Sequence, residues 1–274
     1  MIRLQPTKEF ILPITAECIT PDVFQAMSLN EIGMQKIWEG NKQKRLDELF
    51  KIDNSKDTTA SESTMISISG DVSKVKRIGA QMKNGGITIN GNVGMHLGEE
   101  MAGGKITVNG DVGSWAGSMM KNGAIEIHGN AGDYLAAPYR GSTKGMHGGK
   151  ITVHGNVGNE AGAYMKKGTI KIHGNTGQFV GLRMHDGTIQ VQGDCDARAG
   201  ACMIAGKIVI EGKLESILPS FTVDTIKPKV KIAENETVQG PFYVFLGDLA
   251  ECGNGKLYVS KQNNPQLTIY DKFL

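Results

Sequence analysis

Gly79-Ala-Gln-Met82-Lys-Asn-Gly85-Gly-Ile87-Thr-Ile89-Asn-Gly91 reads as Gly-x-x-Met-x-x-Gly-x-Ile-x-Ile/Val-x-Gly, and the same unit returns six more times before the chain passes Gly212. Copies open at Gly98, Gly117, Thr143, Gly162, Gly181 and Gly200, and only the copy at Thr143 lacks its opening glycine. The closing glycines Gly91, Gly110, Gly129, Gly155, Gly174, Gly193 and Gly212 stand 19, 19, 26, 19, 19 and 19 residues apart. A partial copy, Ile66-Ser-Ile68-Ser-Gly70, precedes the first by 21 residues. A fixed period of this length is the mark of a solenoid and outranks any local motif.

Each unit has the same physical content. Ile-x-Ile alternates with period two, which predicts a short strand with one face buried. The residues between, Thr88, Thr107, Glu126, Thr152, Lys171, Gln190 and Val209, are mostly polar and are expected to face solvent. Gly-Asn/Asp-Val-Gly then signals a turn, because glycine takes positive φ at little steric cost. A second apolar position follows (Leu97, Ala116, Ala161, Val180, Ala199), then glycine and methionine. Nineteen residues with about three bends make one flattened coil rather than a helical pair. The fold class is therefore all-β: a single-stranded parallel β-helix of about seven to eight coils. At a strand spacing of about 4.8 Å the prism is roughly 35–40 Å long. Met82, Met101, Met120, Met146, Met165, Met184 and Met203 form one column. A sulfur ladder suits soft metals, but an internal stack of adaptable side chains explains it better.

Composition agrees. The 274 residues suffice for a sizeable core, and 37 glycines with only 6% aromatic residues follow from the repeat. A net charge of +2 points to no nucleic-acid partner. No apolar run near eighteen residues and no signal-peptide pattern occur, which predicts no membrane insertion and a cytoplasmic protein. Cys18, Cys195, Cys202 and Cys252 lack C-x-x-C spacing and read as reduced thiols.

Residues 1–64 read as an N-terminal cap or docking segment, residues 65–214 as the β-helix, and residues 215–274 as a strand-rich extension. Short strands are expected over 1–19, interrupted by Pro6 and Pro13, and Thr20-Pro21-Asp22 is a helix start. Val23, Phe24, Met27, Ile32, Ile37 and Trp38 supply apolar faces to one or two short helices. Asp53–Ser63 is polar enough to be a linker. The open ends of a β-helix invite association, so the N-terminal segment is expected to cover one end or to dock on another protein. The seven extra residues of the long interval lie around Leu135–Lys144. Solenoid insertions sit on one face, often the contact face, which makes Tyr139 and Arg140 the candidate partner interface.

The chemistry is sparse. His128, His154 and His173 occupy the same position on three consecutive coils, and a column of imidazoles raises a zinc site. Alternation from Ile125 and Ile127 points His128 outward, and no convergent carboxylate is legible, so a stacked polar ladder is the better reading. His96, His147 and His185 lie at scattered repeat positions. No nucleophile elbow, zincin motif or phosphate loop is present. The chain reads as non-catalytic, with no catalytic or cofactor-binding residues of its own.

Seven phased copies with one long interval resemble the C subunit of formylmethanofuran dehydrogenase of methanogenic archaea. The pattern is also similar to the C subunit of the formyltransferase/hydrolase complex of methylotrophic bacteria and, more distantly, to the Gly-rich C-terminal domain of glutamate synthase. The resemblance covers residues 65–212, and Thr143 departs from it where the family unit carries Gly or Trp. The resemblance implies a right-handed coil and a place in an oxidoreductase complex that reduces CO2 and fixes it as formyl-methanofuran. It implies hetero-oligomeric partners: a pterin-metal oxidoreductase subunit with a tungsto- or molybdo-bispterin, an amidohydrolase-like subunit with a dizinc centre, and iron–sulfur proteins. None of those cofactors would be bound by this chain. Two alternatives stand beside it, an independent β-helix metalloenzyme or acyltransferase and a β-helix spacer of a glutamate synthase-like system.

Overall fold

The computed structural model describes residues 1–54 and 64–274; of the expected linker, Asp53 and Asn54 end a strand and the remainder lies outside the described residues. The N-terminal segment holds β1 (Ile2–Pro6), β2 (Ile14–Thr15), α1 (Pro21–Phe24), α2 (Leu29–Gly33), β3 (Lys36–Glu39), β4 (Lys42–Arg45), α3 (Leu46–Leu49) and β5 (Phe50–Asn54). The repeats supply β6 (Met65–Ser69), β7 (Val75–Lys76), β8 (Gly86–Asn90), β9 (Lys105–Val108), β10 (Ala124–Ile127), β11 (Lys150–Val153), β12 (Thr169–Ile172), β13 (Thr188–Val191) and β14 (Lys207–Ile210). The C-terminal part adds β15 (Thr222–Ala233), β16 (Glu236–Gly247) and β17 (Gly255–Ser260), then a 3-10 segment at Pro265–Phe273.

Every Ile-x-Ile/Val unit is a strand, and each pairs in parallel and in register with the next: Ile106 with Ile125, Ile125 with Ile151, Ile151 with Ile170. A second face is a column of single bridges running Val72, Val93, Val112, Ala131, Val157, Thr176, Cys195, Leu214. The chain is a parallel β-helix. Its interior holds all seven ladder methionines, each with no solvent exposure. Burying such a side chain contributes about 1.5–3 kcal/mol, so the column is a major part of the core. The residue after each closing glycine does more than turn the chain. The side-chain oxygens of Asn92, Asp111, Asn130, Asn156 and Asn175 each accept from the backbone N–H one coil on, at 2.7–2.9 Å.

Both ends are closed by segments that imitate a coil. At one end β1 pairs in parallel with β6, β2 with β7, and the Gly79 N–H donates to the Ile19 carbonyl. The Thr20 hydroxyl caps α1, as the Thr-Pro-Asp start predicts. Ile37 and Trp38, expected on a helix, lie in β3 instead, because Gly40 at positive φ turns the chain into the β3–β4 hairpin. At the other end β17 pairs in parallel with β14.

The hairpin β15–β16 then folds back over the outer face of the strands. Val209 packs there with Val230, Ile232 and Phe242, and Lys171 reaches Glu236. This corrects one expectation: Gln190 and Val209, placed toward solvent by alternation, are 1% and 0% exposed beneath the hairpin. Among the described residues no helix is long and apolar enough to cross a membrane.

Candidate functional site

Two surfaces concentrate side chains with chemistry. The first is the outer face of β10–β12. His128, His154 and His173 stack ring on ring at 4.7 and 4.8 Å, with planes 6° and 3° apart. Glu126, one position before Ile127, joins them: its Oε1 lies 3.5 Å from His154 Nε2. The ligand atoms of Glu126, His128 and His154 all lie within 4.8 Å of one another. Tetrahedral zinc with metal–ligand bonds near 2.1 Å needs donors about 3.5 Å apart, converging on one point. Parallel rings set by the coil spacing do not converge. Lys105 also holds Glu126, at 2.9 Å, and that hydrogen bond leads the forces that keep its carboxyl below the usual range. The donor set does not fit a structural zinc. His154→Ala is therefore expected to leave the zinc content of the purified chain unchanged and to cost less than about 1 kcal/mol. Inductively coupled plasma analysis and a thermal melt check both.

The four cysteines are free, and burial pushes Cys18 and Cys195 up to about 12, far from thiolate. They form no set of four thiolates such as an iron–sulfur cluster requires.

The second surface is a corner of the prism. Residues two positions beyond the Gly-x-Val-Gly turns and their variants adopt positive φ: His96, Trp115, Tyr134, Glu160, Phe179 and Arg198, with Arg77 ahead of them in the same column. Left-handed backbone turns these side chains out in one line. His96 stacks on Trp115 at 5.4 Å and Trp115 on Tyr134 at 4.6 Å. Tyr139 from the insertion stands edge-on to both His96 and Trp115, at 5.2 and 5.8 Å, and Arg140 lies over Trp115 at 5.9 Å. Arg77 sits 3.3 Å from the buried Glu99, whose Oε1 is 3.6 Å from His96 Nδ1. Burial opposes ionisation of Glu99, but the facing His96 and Arg77 outweigh it and hold the carboxyl below its ordinary range.

Two sequence expectations are corrected here. Thr143 is not the opening position of its coil. Ala136 fills that column at φ 60°, donating to the Ala116 carbonyl and accepting from the Met146 N–H as the column glycines do. The extra residues therefore enter between Ala137 and Gly145, directly over the aromatic corner. His96 is not scattered either; it belongs to the corner column. His147 and His185 share the position after the ladder methionine. Sequence reasoning misses the corner because its members share a backbone conformation and not a side-chain type. The signal that could have found it is the recurrence of large side chains two residues after each Gly-x-Val-Gly.

The fold and these surfaces define a Gly-rich parallel β-helix subunit in which the described residues assemble no active site of their own. No family model matches the chain. It is 54% identical, over 262 residues, to the C subunit of the tungsten-containing formylmethanofuran dehydrogenase 2 of Methanococcus maripaludis, covering 93% of this chain and 95% of that protein. The chain belongs to the family of formylmethanofuran dehydrogenase C subunits. It is also 44% identical over 94 residues to the C subunit of the molybdenum-containing formylmethanofuran dehydrogenase 1 of Methanothermobacter marburgensis, a match spanning 34% of this chain and only 22% of that longer relative. Among solved structures it superposes on a chain of the formyltransferase/hydrolase complex (FhcABCD) from Methylorubrum extorquens in complex with methylofuran. The TM-score is 0.82 at 27% identity, over 94% of this chain and 99% of that one.

Proposed function

We propose that this chain is the non-catalytic structural subunit of a cytoplasmic formylmethanofuran dehydrogenase complex, which reduces CO2 and fixes it as formyl-methanofuran. The observation that carries the reading is the near end-to-end match to the C subunit of a tungsten enzyme, in a coil whose polar columns form ladders and not a reaction centre. The partners in this reading are a pterin-metal oxidoreductase subunit, an amidohydrolase-like subunit with a dizinc centre, and iron–sulfur proteins. The tungsten or molybdenum bispterin, the zinc ions and the clusters belong to those partners. A coil registered by backbone hydrogen bonds at every turn is a stiff ruler. Its contribution to rate comes from positioning the two catalytic subunits and sealing the path of an intermediate from water. Purification through a tag on this subunit from the source organism tests the reading. The expected result is co-elution, in fixed stoichiometry, of a pterin-dependent oxidoreductase and an amidohydrolase-like protein identified by mass spectrometry. A lone oligomer of this chain would overturn it.

A further inference from the structure

The aromatic stack of the corner ends at an acidic position, Glu160. Going along the column, His96, Trp115 and Tyr134 stack in order, and the next coil offers Glu160. That coil is the immediate neighbour, since the Tyr134 N–H donates to the Asn159 carbonyl at 2.8 Å. The chain supplies its own cations to several rings, and two of these, Trp115 and Tyr164, line the same cavity as Glu160. Arg198 lies over Phe179 at 5.0 Å, Arg183 over Tyr164 at 5.9 Å, and Arg140 over Trp115. Among the described residues no cation pairs with Glu160, and its side chain makes no hydrogen bond. Asp133 does not relieve it, because its Oδ1 accepts from the backbone and side-chain N–H groups of Asn159. Burial first, then the charge of Asp133, pushes the Glu160 carboxyl above its ordinary range.

A cavity of about 390 Å³ opens at this point, where the insertion arches over the coil. Trp115, Tyr134, Tyr139 and Tyr164 wall it with Ala137 and Ala163, and its two charged lining residues are Glu160 and Arg140, the latter committed to the Trp115 ring. Faces of electron-rich rings beside an uncompensated carboxylate attract a cation and repel an anion. An apolar stem entering past the alanines fills the remainder of the space.

We propose that this cavity receives the charged end of an arginine or lysine side chain from a partner protein, held against the aromatic walls and the Glu160 carboxylate. The partner's identity rests on the reading of the chain as a member of a complex; the cavity's preference for a cation does not. Tyr139, which is 44% exposed at the mouth, would be covered by the same partner.

The chain contains two tryptophans, so Trp38→Phe leaves Trp115 as the reporter in the cavity wall. In that background, titration of the full chain with N-acetyl-arginine amide is expected to change Trp115 emission saturably. The uncharged isostere N-acetyl-citrulline amide should respond at least about tenfold more weakly, the scale of one cation–π contact with its counter-charge. Glu160→Gln should weaken the arginine response about fivefold or more with an unchanged melting midpoint, and Arg140→Ala, which removes like charge at the mouth, should strengthen it. Equal responses to the two probes, or a response indifferent to Glu160→Gln, would overturn the proposal. In the intact complex Glu160→Arg should release the partner at lower salt than the parent chain. Retention at the parental salt would remove the cavity from any interface. Failure to find a complex would sink the proposed function and leave the probe result standing.

Discussion

Gly155→Val is expected to lower the melting midpoint of the purified chain by roughly 6–12 °C, equivalent to about 3 kcal/mol or more. A Cβ at Gly155 would stand 2.6 Å from the Gly129 carbonyl oxygen, 2.8 Å from its carbon and 2.6 Å from Asn130 Oδ1. Two of these are backbone atoms of the preceding coil, and the third is a rung of the Asn/Asp ladder, already accepting from the Asn156 N–H. None can withdraw without moving its own coil. The Gly155 N–H also donates to the Gly129 carbonyl, so spreading the coils breaks a rung of the first face. Gly141→Ala is the control. It sits at positive φ, but a Cβ there meets nothing within 4 Å, and the expected cost is only about 1 kcal/mol. Paired thermal melts decide the matter. If the two variants melted alike, the stacked-glycine account would be wrong.

Deletion of residues 215–274 is expected to convert a monodisperse chain into aggregate or higher oligomer in size-exclusion chromatography. Removing β17 leaves β14 as a free parallel edge, and removing the hairpin strips Val209 of Val230, Ile232 and Phe242. An unpaired edge beside exposed apolar surface is a template for association. Asn264 makes the dependence local and testable. It is fully buried, accepts from the Leu214 N–H at 2.8 Å and donates to the carbonyls of Gly212 and Ser260. Asn264→Ala would leave three backbone groups, two of them buried, without this partner, a loss of about 3 kcal/mol. A truncated chain that stayed monomeric and melted like the full one would show that the extension does not cap the coil.

What could be read from sequence, and what could not, follows the range of the interactions. The methionine and isoleucine columns are legible because each member must meet its own copy one coil away, so the same side-chain chemistry recurs at the same phase. The zinc-like histidine column is legible for the same reason, and its failure to converge follows from that same stacking. The phase of the insertion is not legible: Ala136 tolerates the left-handed conformation usually given to glycine, so a glycine-based alignment slides seven residues to Thr143. The cover over Gln190 and Val209 is invisible because β15–β16 reaches them from distant sequence, although Val209, the one apolar residue in a polar column, is its trace. The aromatic corner stays hidden because Arg77, His96, Trp115, Tyr134 and Glu160 share a dihedral angle rather than a chemistry.

In the proposed complex this chain organises catalysis that its partners perform. The most direct measurement is subunit-resolved accounting on the tag-purified complex: metals and activity before and after this chain is stripped away and returned. Tungsten or molybdenum, zinc and iron are all expected to leave with the partners. Each partner should keep its own half-reaction, while the coupled conversion of CO2 to formyl-methanofuran falls and recovers when the chain is added back. A half-reaction that departs with this chain and reappears in the isolated chain would contradict that role.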